Sequence, residues 1–510
     1  MTENEEYMEV ERDKFRAHCI SLCAERAVML RLMFAVDERA TDNCFKVYAV
    51  FSGQNKDTFY IPFFKIKEDD PKYQSITDCV PAAHWYEREI RDMFGLIPEG
   101  HPDPRRLVFH ESFPADSHPL RKDWKISETD LKEWGEGVIK KVPHDFLKVE
   151  GKGICEIPVG PVHAGIIEPG HFRFSAVGET IINLEPRLFY THKGTEKLFE
   201  GMSFFDGIKL AERVSGTSSF SHSIAYSMAV ERMAGIKTIE KIKAIRTFLL
   251  ELERLYNHIG DIGNMCAGTA LMVGQAKGAF IKETLLQLNE RLTGSRFLRG
   301  INTIGGVTKD VFLQKFEISE TIDMVEEEFK NLLKLLLGQS IHVERLTGTG
   351  RLPKEIAAKL GVTGVAARAS GLSDDIRKSH PHLFYYKLDL KTYTRTESDA
   401  LARMMIRADE IECSLSLIRA LVRRRYYGNI CMEVGEIPPD SFALGYTESP
   451  RGSLFYWVKS DQDGKPSRVK LRSPSYCNWP AVPFAIPGNI VPDFPLCNKS
   501  FNLSYSGCDM

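Results

Sequence analysis

The sequence predicts an α+β protein, in which a small N-terminal α/β domain precedes a large, helix-rich region with minor β-hairpins. Short runs rich in aromatic and β-branched residues occur near the N-terminus, at 44–53 and 57–66. Apolar residues at helical spacing dominate the chain after residue 151. An alternating run at 452–474 turns on an Asp-Gly pair, which is typical of a β-hairpin. The 510 residues exceed the size at which one core usually divides into domains.

The first 125 residues are interpreted as a compact α/β domain. Residues 10–35 carry an apolar face at helical spacing and are predicted to form one helix. The two β-rich runs follow, separated by a turn. The segment 78–95 predicts a strand end and then a helix that begins near Pro81. We expect four charged side chains on the solvated side of this helix, where they would form a face for another subunit: Glu87, Arg88, Arg91 and Asp92.

A charged segment at 126–150, which contains two glycines, is interpreted as a linker. The second domain is then expected to span 151–510. Its apolar periodicity predicts a bundle of long helices. These helices are expected at 238–265, 277–292, 318–338 and 397–425.

The composition is that of a globular protein. Hydrophobic residues make up 43% of the chain and charged residues 27%. The net charge of −2 gives no reason to expect a nucleic acid as a partner. No apolar run reaches the roughly 18 residues of a transmembrane helix, and the acidic start is unlike a signal peptide. We therefore expect a cytoplasmic protein whose membrane attachment, if any, is made through partners.

The 11 cysteines are scattered along the chain, and no two of them form a C-x-x-C pair. In a reducing compartment they are expected to be free thiols. Cys19 and Cys23 lie one helical turn apart, which we interpret as two buried small residues rather than a metal site.

Four motifs carry a family resemblance. The segment HWYEREIRDMFGLIPEGHPDPRRLVFHESFPADSHPLRKDW at 84–124 resembles the signature of the small hydrophilic subunit of complex I. Three others resemble the large subunit of group 4, energy-converting NiFe-hydrogenases: GPVHAGIIEPGHFRF at 160–174, RLFYTHKGTEKLFEG at 187–201 and GVTGVAARASGLSDDIRKSHP at 361–381. Together they resemble the fused small and quinone-site subunits of complex I and the large subunit of formate hydrogenlyase.

The resemblance implies a fold, partners and a location. The fold would be a small α/β domain followed by a core like the large subunit of NiFe-hydrogenases. The partners would be a small iron–sulfur subunit and antiporter-like membrane subunits that move ions. The complex would lie on the inner face of the cell membrane. No G-x-G-x-x-G fingerprint follows a predicted strand, so NADH, if the complex uses it, would bind another subunit.

The resemblance also predicts four cysteine ligands for a nickel–iron centre, and this sequence has none of them in register. In RVSGTSSFSH at 213–222, Ser215 and Ser218 stand where the first pair is expected. At the C-terminal motif, Ser504 and Gly507 stand where the second pair is expected, after Asn502 and Leu503 in place of Asp and Pro. Two cysteines remain nearby but out of register: Cys497 and Cys508. A serine hydroxyl is a poor substitute for a thiolate. We therefore expect no cofactor in this chain, and the chain also stops without the tail that is clipped after nickel insertion.

A quinone is the other substrate that the resemblance suggests. Gly216 stands in the register of the quinone-binding Tyr of complex I. The loop from His163 to Glu168 lacks the second histidine of the H-x-x-x-H-G motif. Quinone binding in the standard way is therefore not expected, although a cavity could persist.

Three residues are the candidates for chemistry. Glu168 matches a glutamate that passes protons to and from the metal site in hydrogenases; alternatively, it caps a turn or pairs with Arg173. His163 is either a donor to a ligand or a histidine packed against the backbone. His222 would lie beside the vacated metal pocket or in the core.

The third hydrogenase-like motif predicts a structural feature. The spacing of Arg368, Asp374 and Asp375 predicts a buried ion-pair cluster that ties helices together. Burying such charges is costly unless they are paired. Lining of the pocket is the alternative role.

Three functions are weighed. The leading one is the large subunit of a membrane-associated, ion-translocating complex that resembles NADH–quinone oxidoreductases and hydrogenases, with electrons arriving from a neighbouring iron–sulfur subunit at a pocket without nickel–iron. The second is a non-catalytic structural core that couples redox chemistry to the membrane arm. The third is a true NiFe-hydrogenase with displaced ligands.

Overall fold

The computed structural model describes residues 4–53, 57–114, 116–126, 132, 143–163 and 167–510. Its N-terminal part combines one mixed sheet, a small parallel pair of strands and three helices. The strands are β1 (Glu5–Glu9), β2 (Met29–Glu38), β3 (Cys44–Ser52), β4 (Phe59–Ile66), β5 (Lys72–Gln74) and β6 (Ile97–Glu99). The helices are α1 (Arg12–Arg26), α2 (Arg39–Asp42) and α3 (His84–Phe94).

The N-terminal sheet has the strand order β1-β4-β3-β2. The predicted strands at 44–53 and 57–66 are confirmed as β3 and β4, which pair antiparallel. The predicted helix at 10–35 is wrong in its second half, because α1 ends at Arg26 and Met29–Glu38 forms β2. Almost every residue of β2 is buried. A strand covered on both faces reads as a continuous apolar run, which periodicity cannot distinguish from a buried helix.

The predicted helix near Pro81 is confirmed, but its charged face is not solvated. A 3₁₀ turn at Pro81–Ala83 leads into α3. Glu87 is fully buried and accepts hydrogen bonds from Ser75, Thr77 and the Ile76 amide.

The other charged residues of α3 are also engaged by the neighbouring loop. Asp92 is buried and accepts hydrogen bonds from two backbone amides, those of Leu107 and Val108. Arg88 is buried, and only Arg91 is half-exposed. The expectation of a solvated intersubunit face was therefore wrong, because these groups satisfy the polar backbone of loops that wrap around the helix.

The second part of the chain is rich in helices and contains three small antiparallel sheets. The strands are β7 (Ile154–Val159), β8 (His171–Val177), β9 (Thr180–Arg187), β10 (Asn302–Thr303), β11 (Gly306–Val307), β12 (Phe442–Ser449), β13 (Gly452–Ser460) and β14 (Pro466–Arg472). The helices are α4 (Thr195–Leu198), α5 (Phe204–Ala211), α6 (Ser219–Met233), α7 (Glu240–Gly268), α8 (Met272–Thr293), α9 (Lys315–Leu337), α10 (Ser340–Leu346), α11 (Lys354–Lys359), α12 (Gly364–Ala369), α13 (Ile376–Ser379), α14 (Ala400–Arg423), α15 (Pro474–Asn478), α16 (Val482–Ala485), α17 (Phe494–Phe501) and α18 (Tyr505–Asp509).

All four long helices predicted from periodicity are present, as α7, α8, α9 and α14. Helix α7 lies at the centre of the bundle and packs against α8 and α14. Its close approach to α8 depends on two glycines, since a Cβ at Gly278 would lie 2.8 Å from the Cα of Gly263. Within the described residues, no helix combines the length and apolarity needed to cross a membrane.

The predicted hairpin at 452–474 is confirmed as β13 and β14, and β12 extends it to three antiparallel strands. This sheet packs against the N-terminal sheet. The Phe34 and Trp457 rings lie 4.8 Å apart, and Arg31 forms a buried ion pair with Asp374 at 2.7 Å. The two parts of the chain therefore share one continuous hydrophobic core. Most of the expected linker at 126–150 lies outside the described residues.

The predicted ion-pair cluster is confirmed. The buried Arg368 guanidinium contacts Glu410 at 2.8 Å and Glu448 at 2.9 Å. Asp375 lies 3.6 Å from Arg368 and 2.7 Å from Arg377. These contacts connect α12, α13, α14 and β12, so the cluster is part of the scaffold.

Candidate functional site

Two hydroxyls from opposite ends of the second part meet at one point. Ser215 lies in the loop between α5 and α6, and Ser504 immediately precedes α18. Their Oγ atoms are 3.0 Å apart. Ser215 also contacts the Thr217 hydroxyl at 3.1 Å. The structure therefore brings together two positions, 289 residues apart, that the hydrogenase resemblance pairs around a metal.

The other two predicted positions lie in the same place. Ser504 Oγ accepts a hydrogen bond from the Gly507 amide at 2.9 Å, and a Cβ at Gly507 would lie 3.3 Å from Ser215 Cβ. Ser218 is buried, and its amide donates to the Ser215 carbonyl at 3.2 Å. We call Ser215, Ser218, Ser504 and Gly507 the serine cluster.

Glu168 lies beside the serine cluster. One carboxylate oxygen accepts a hydrogen bond from the Ser506 amide at 3.0 Å, on α18. The alternative partner, Arg173, instead lies 3.7 Å from Glu156. Glu168 is half-buried, so its second oxygen is available to other donors.

The two candidate histidines have different surroundings. His163 Nε2 donates to the Gly170 carbonyl at 2.7 Å, which holds the ring against its own loop. His222 lies one turn along α6 from Ser218, and its amide donates to the Ser218 carbonyl at 3.0 Å. Its Nδ1 contacts the Tyr456 hydroxyl at 2.7 Å, whereas Nε2 has no partner among the described residues. Complete burial, with a smaller effect of Lys193, lowers the pKa of His222 to about 3, so the ring is neutral.

Basic residues flank the exposed side of the serine cluster. Lys193 Nζ donates to the Val214 carbonyl at 3.1 Å, next to Ser215. Gly216 is exposed, and a Cβ there would meet only Arg299 Nη2, at 3.8 Å. The position that the resemblance aligns with the quinone-binding Tyr is thus open space beside the serine cluster. Sequence reasoning missed Lys193, although it lies inside one of the quoted motifs.

A buried carboxylate binds the start of α6, next to Ser218 of the serine cluster. Glu253 on α7 accepts hydrogen bonds from the Phe220 amide at 2.8 Å and the Ser221 amide at 3.0 Å, at the start of α6. Burial raises the pKa of Glu253 to about 7. Sequence reasoning missed this residue because periodicity does not show which of the many charged residues of α7 are buried.

The last helix is fastened by the Thr191–Thr195 segment. Asp509 accepts hydrogen bonds from the Thr191 amide at 3.0 Å and the Thr191 hydroxyl at 2.8 Å. Burial raises the pKa of Asp509 to about 6. The Thr195 hydroxyl donates to the Met510 carbonyl at 2.9 Å. These contacts position α18, and with it Ser504, against the Ser215 loop.

The side chains of the serine cluster do not match the requirements of a nickel–iron centre. Such a centre needs soft thiolate ligands, and the cluster offers protonated hydroxyls and a glycine. Cys497 instead packs near Gly350, and burial raises the pKa of both Cys497 and Cys508. Within the described ranges, no group of three or more His, Cys, Asp or Glu side chains is arranged to hold a metal ion.

Comparison with family models identifies both parts of the chain. Residues 8–130 match "Respiratory-chain NADH dehydrogenase, 30 Kd subunit". Residues 268–439 and 428–510 match "Respiratory-chain NADH dehydrogenase, 49 Kd subunit".

Individual relatives cover most of the chain. Formate hydrogenlyase subunit 5 of Escherichia coli is 35% identical over 94% of this chain and 84% of its own length. The C/D subunit of the NADH-quinone oxidoreductase of Phocaeicola vulgatus is 30% identical over 84% of this chain and 85% of its own length. A chain in the solved structure of the membrane-bound sulfane sulfur reductase, an archaeal respiratory membrane complex, superposes with a TM-score of 0.66 at 27% identity, covering 70% of this chain and 99% of that chain. The chain therefore belongs to the family in which regions of the 30-kDa and 49-kDa complex I type are fused, together with the C/D subunits of NADH-quinone oxidoreductases and formate hydrogenlyase subunit 5.

Proposed function

We propose that this chain is the large subunit of a membrane-associated, ion-translocating oxidoreductase complex. In this proposal, electrons from a neighbouring iron–sulfur subunit reach the serine cluster, which works without nickel–iron. Its relatives include subunits of a formate hydrogenlyase and of an NADH-quinone oxidoreductase. The observation that carries the proposal is the Ser215–Ser504 contact at 3.0 Å. It joins the two segments that bracket the metal in the hydrogenase resemblance.

The chemistry of this contact argues against nickel. Two hydroxyls in hydrogen-bond contact satisfy each other, and they would have to separate and lose a proton to bind a soft metal. Gly507 contributes no donor atom at the fourth position. In this proposal the cluster takes the position of the metal site of hydrogenases, with neutral hydroxyls in place of thiolates.

The exposed side of the cluster suits the approach of an electron-carrying partner. Gly216 is exposed and leaves open space beside the cluster, and Lys193 and Arg299 place positive charge at its edge. An iron–sulfur subunit on this face would bring its terminal cluster close to Ser215. Membrane subunits would then anchor the complex, since no helix in the described part of this chain could do so.

Glu168 is the residue that we propose to move protons. Its carboxylate is half-buried, is anchored through one oxygen by the Ser506 amide, and lies at the edge of the serine cluster. A carboxylate held in this way can deliver a proton to a bound acceptor and recover it from solvent. His163 and His222 would shape the surroundings instead, because the first is bound to a backbone carbonyl and the second is neutral and buried.

A quinone bound through the usual complex I residues is not part of this proposal. Gly216 offers no phenol, and the ring nitrogen Nε2 of His163 is already bound to the Gly170 carbonyl. A quinone or another small acceptor in the open space at Gly216 would be held by Lys193 and the cluster hydroxyls instead.

The proposal can be tested by electron transfer to quinone analogues in the purified complex. Glu168→Gln is expected to lower turnover by about 100-fold, within the range of a general acid–base residue. The matched control is Glu156→Gln, which removes an exposed carboxylate whose ion pair within the described residues is with Arg173. It should leave turnover within about twofold of the wild type.

The alternative function is a non-catalytic core that transmits movement to the membrane arm. The buried network around Arg368 favours it, because these contacts connect four elements rigidly. Sustained turnover that is equal in Glu168→Gln and Glu156→Gln would support this alternative and refute a proton-transfer role for Glu168.

A further inference from the structure

A cavity of about 530 Å³ lies between the N-terminal part and the second part of the chain, away from the serine cluster. Helix α3 and the loop that follows it form one wall. Strand β9 and the segment around Pro483 form the other wall. Cavities of this size at the junction of two parts of a protein are common binding places for small molecules.

The base of the cavity includes a buried guanidinium. Arg187, the last residue of β9, is only 5% exposed. It donates three hydrogen bonds to backbone carbonyls: from Nη1 to Arg106 and Leu107, both at 3.0 Å, and from Nη2 to Phe109 at 2.6 Å. Its Nε has no partner among the described residues. An arginine has five donors, so Nε, which is itself shielded from solvent, and one hydrogen of Nη2 have no partner among the described residues.

The charge of Arg187 is not neutralised by an ion pair with any described residue. Carbonyl oxygens accept its hydrogen bonds but carry no net charge. Burial lowers the pKa of Arg187, which reflects the cost of keeping this cation out of water, and the nearby Glu111 and Asp92 carboxylates offset part of this effect. A buried, hydrogen-bonded cation without an ion-pair partner gains from an anionic ligand.

The other charged groups of the cavity balance one another. Arg105 contacts Asp103 at 2.8 Å and Glu185 at 2.7 Å, and Arg88 contacts Asp103 at 3.1 Å. Burial, with a smaller effect of Arg88, lowers the pKa of His84 to about 3, so this ring is neutral. Arg187 is thus the arginine of the cavity lining that forms no ion pair with a described residue.

The rest of the wall is largely apolar. Trp85, Leu184, Phe189 and Leu147 line it, and Phe484 stands at the rim with 53% of its surface exposed. An exposed aromatic ring beside a cavity gains by covering an apolar ligand.

We propose that this cavity binds a small anionic amphiphile, with its carboxylate or phosphate head against Arg187 and its apolar body against Trp85 and Phe484. Because the ligand would touch both walls, it would hold the N-terminal part and β9 together. The site is separate from the serine cluster and does not depend on the proposed function.

The test is calorimetry on the full-length chain with decanoate, 1-decanol and inorganic phosphate as probes. Decanoate is expected to bind, and to bind at least about tenfold more tightly than 1-decanol, because only the acid supplies a counter-ion. Phosphate alone is expected to bind far more weakly, since it lacks an apolar body. Equal affinity for decanoate and 1-decanol, or for decanoate and phosphate, would overturn the proposal.

Variants locate the binding. Arg187→Gln should weaken decanoate binding by about tenfold or more and leave 1-decanol binding unchanged. Arg173→Gln, on the neighbouring strand β8 and outside the cavity lining, is the matched control and should change neither. Should Arg187→Gln not fold, Phe484→Ala removes a half-exposed ring and should weaken both long-chain probes. Unchanged decanoate binding in Phe484→Ala, or equal losses in the two arginine variants, would refute the site.

Discussion

At the scale of single residues, Ser504 has two structural roles. Its hydroxyl caps the start of α18 by accepting from the Gly507 amide, and it contacts the Ser215 hydroxyl across the cluster. Ser504→Ala should therefore lower the free energy of unfolding by about 1 kcal/mol, the usual cost of losing such a cap. Chemical denaturation measures this change. Ser506→Ala, whose hydroxyl has only a 3.3 Å contact with Ser504, should cost clearly less, and equal costs would contradict the capping role.

Glu253 should make the stability depend on pH. In the folded protein its pKa is about 7, against 4.5 for an unperturbed carboxyl, so the folded state holds a proton that the unfolded chain has lost. Stability is thus expected to fall as the pH rises from about 5 to about 7 and to level off above this range, by up to about 3 kcal/mol from this group.

The measurement is the difference in unfolding free energy between the wild type and Glu253→Gln, followed from pH 5 to pH 8. Subtraction removes the contribution of other groups with raised pKa values, such as Asp509. Glu283→Gln removes a partly exposed carboxylate on α8 whose pKa is lowered by its hydrogen bond with Arg296, so it should give a difference that is flat over this range. A flat difference for Glu253→Gln as well would show that Glu253 is ionised throughout.

At the scale of residues, the sequence predicted the positions of the serine cluster but not Glu253, the buried carboxylate that binds the start of α6. Ser215 and Ser504 could be found because the resemblance aligns both positions with expected cysteine ligands. Glu253 could not, because periodicity does not separate a buried acidic residue of α7 from a solvated one until its partners are known. Glu87 was misread for the same reason, since its partners come from a loop outside α3.

At the scale of elements, the contact between α7 and α8 depends on glycine. A Cβ at Gly278 would press on the backbone of Gly263, which cannot move aside without separating the helices. Gly278→Ala should lower the unfolding free energy by about 1–3 kcal/mol. In Gly260→Ala, the new Cβ meets only the flexible Lys282 side chain, so the helix-favouring effect of alanine should leave stability unchanged or raised. Thermal or chemical denaturation of the two variants tests this, and equal destabilisation would contradict it.

The ion-pair cluster ties elements together more strongly than surface pairs do. Arg368→Met removes the ion-pair partner of the buried Glu448 and one of the basic partners of Glu410, so it should cost about 3–5 kcal/mol. Arg419 lies on the same helix as Glu410 and forms accessible ion pairs with Asp323 and Glu326 of α9. Arg419→Met should therefore cost no more than about 1 kcal/mol. Similar losses for both variants, measured by denaturation, would show that the buried network contributes little.

The predictability of elements depends on the length of their hydrophobic pattern. The long helices α7, α8, α9 and α14 repeat apolar residues at helical spacing over many turns, so this periodicity identifies them. Strand β2 is buried on both faces and was read as a continuation of α1, because nothing in its composition separates the two.

At the scale of the whole molecule, the two parts are joined into one core by contacts that no local pattern predicts. Arg31 reaches Asp374, and Phe34 reaches Trp457, across several hundred residues of sequence. The family and the order of its two parts could be read from motifs, whereas the cavity that contains Arg187 arises only where the two parts meet.

The central claim is that the serine cluster occupies the place of a nickel–iron site without holding nickel. The most direct test is the metal content of the purified complex, measured by mass spectrometry on a sample whose iron content shows that the cluster-bearing partner is retained. The account predicts iron in stoichiometric amount and nickel far below one atom per chain. One nickel atom per chain, lost when Ser215 and Ser504 are replaced by alanine, would contradict it.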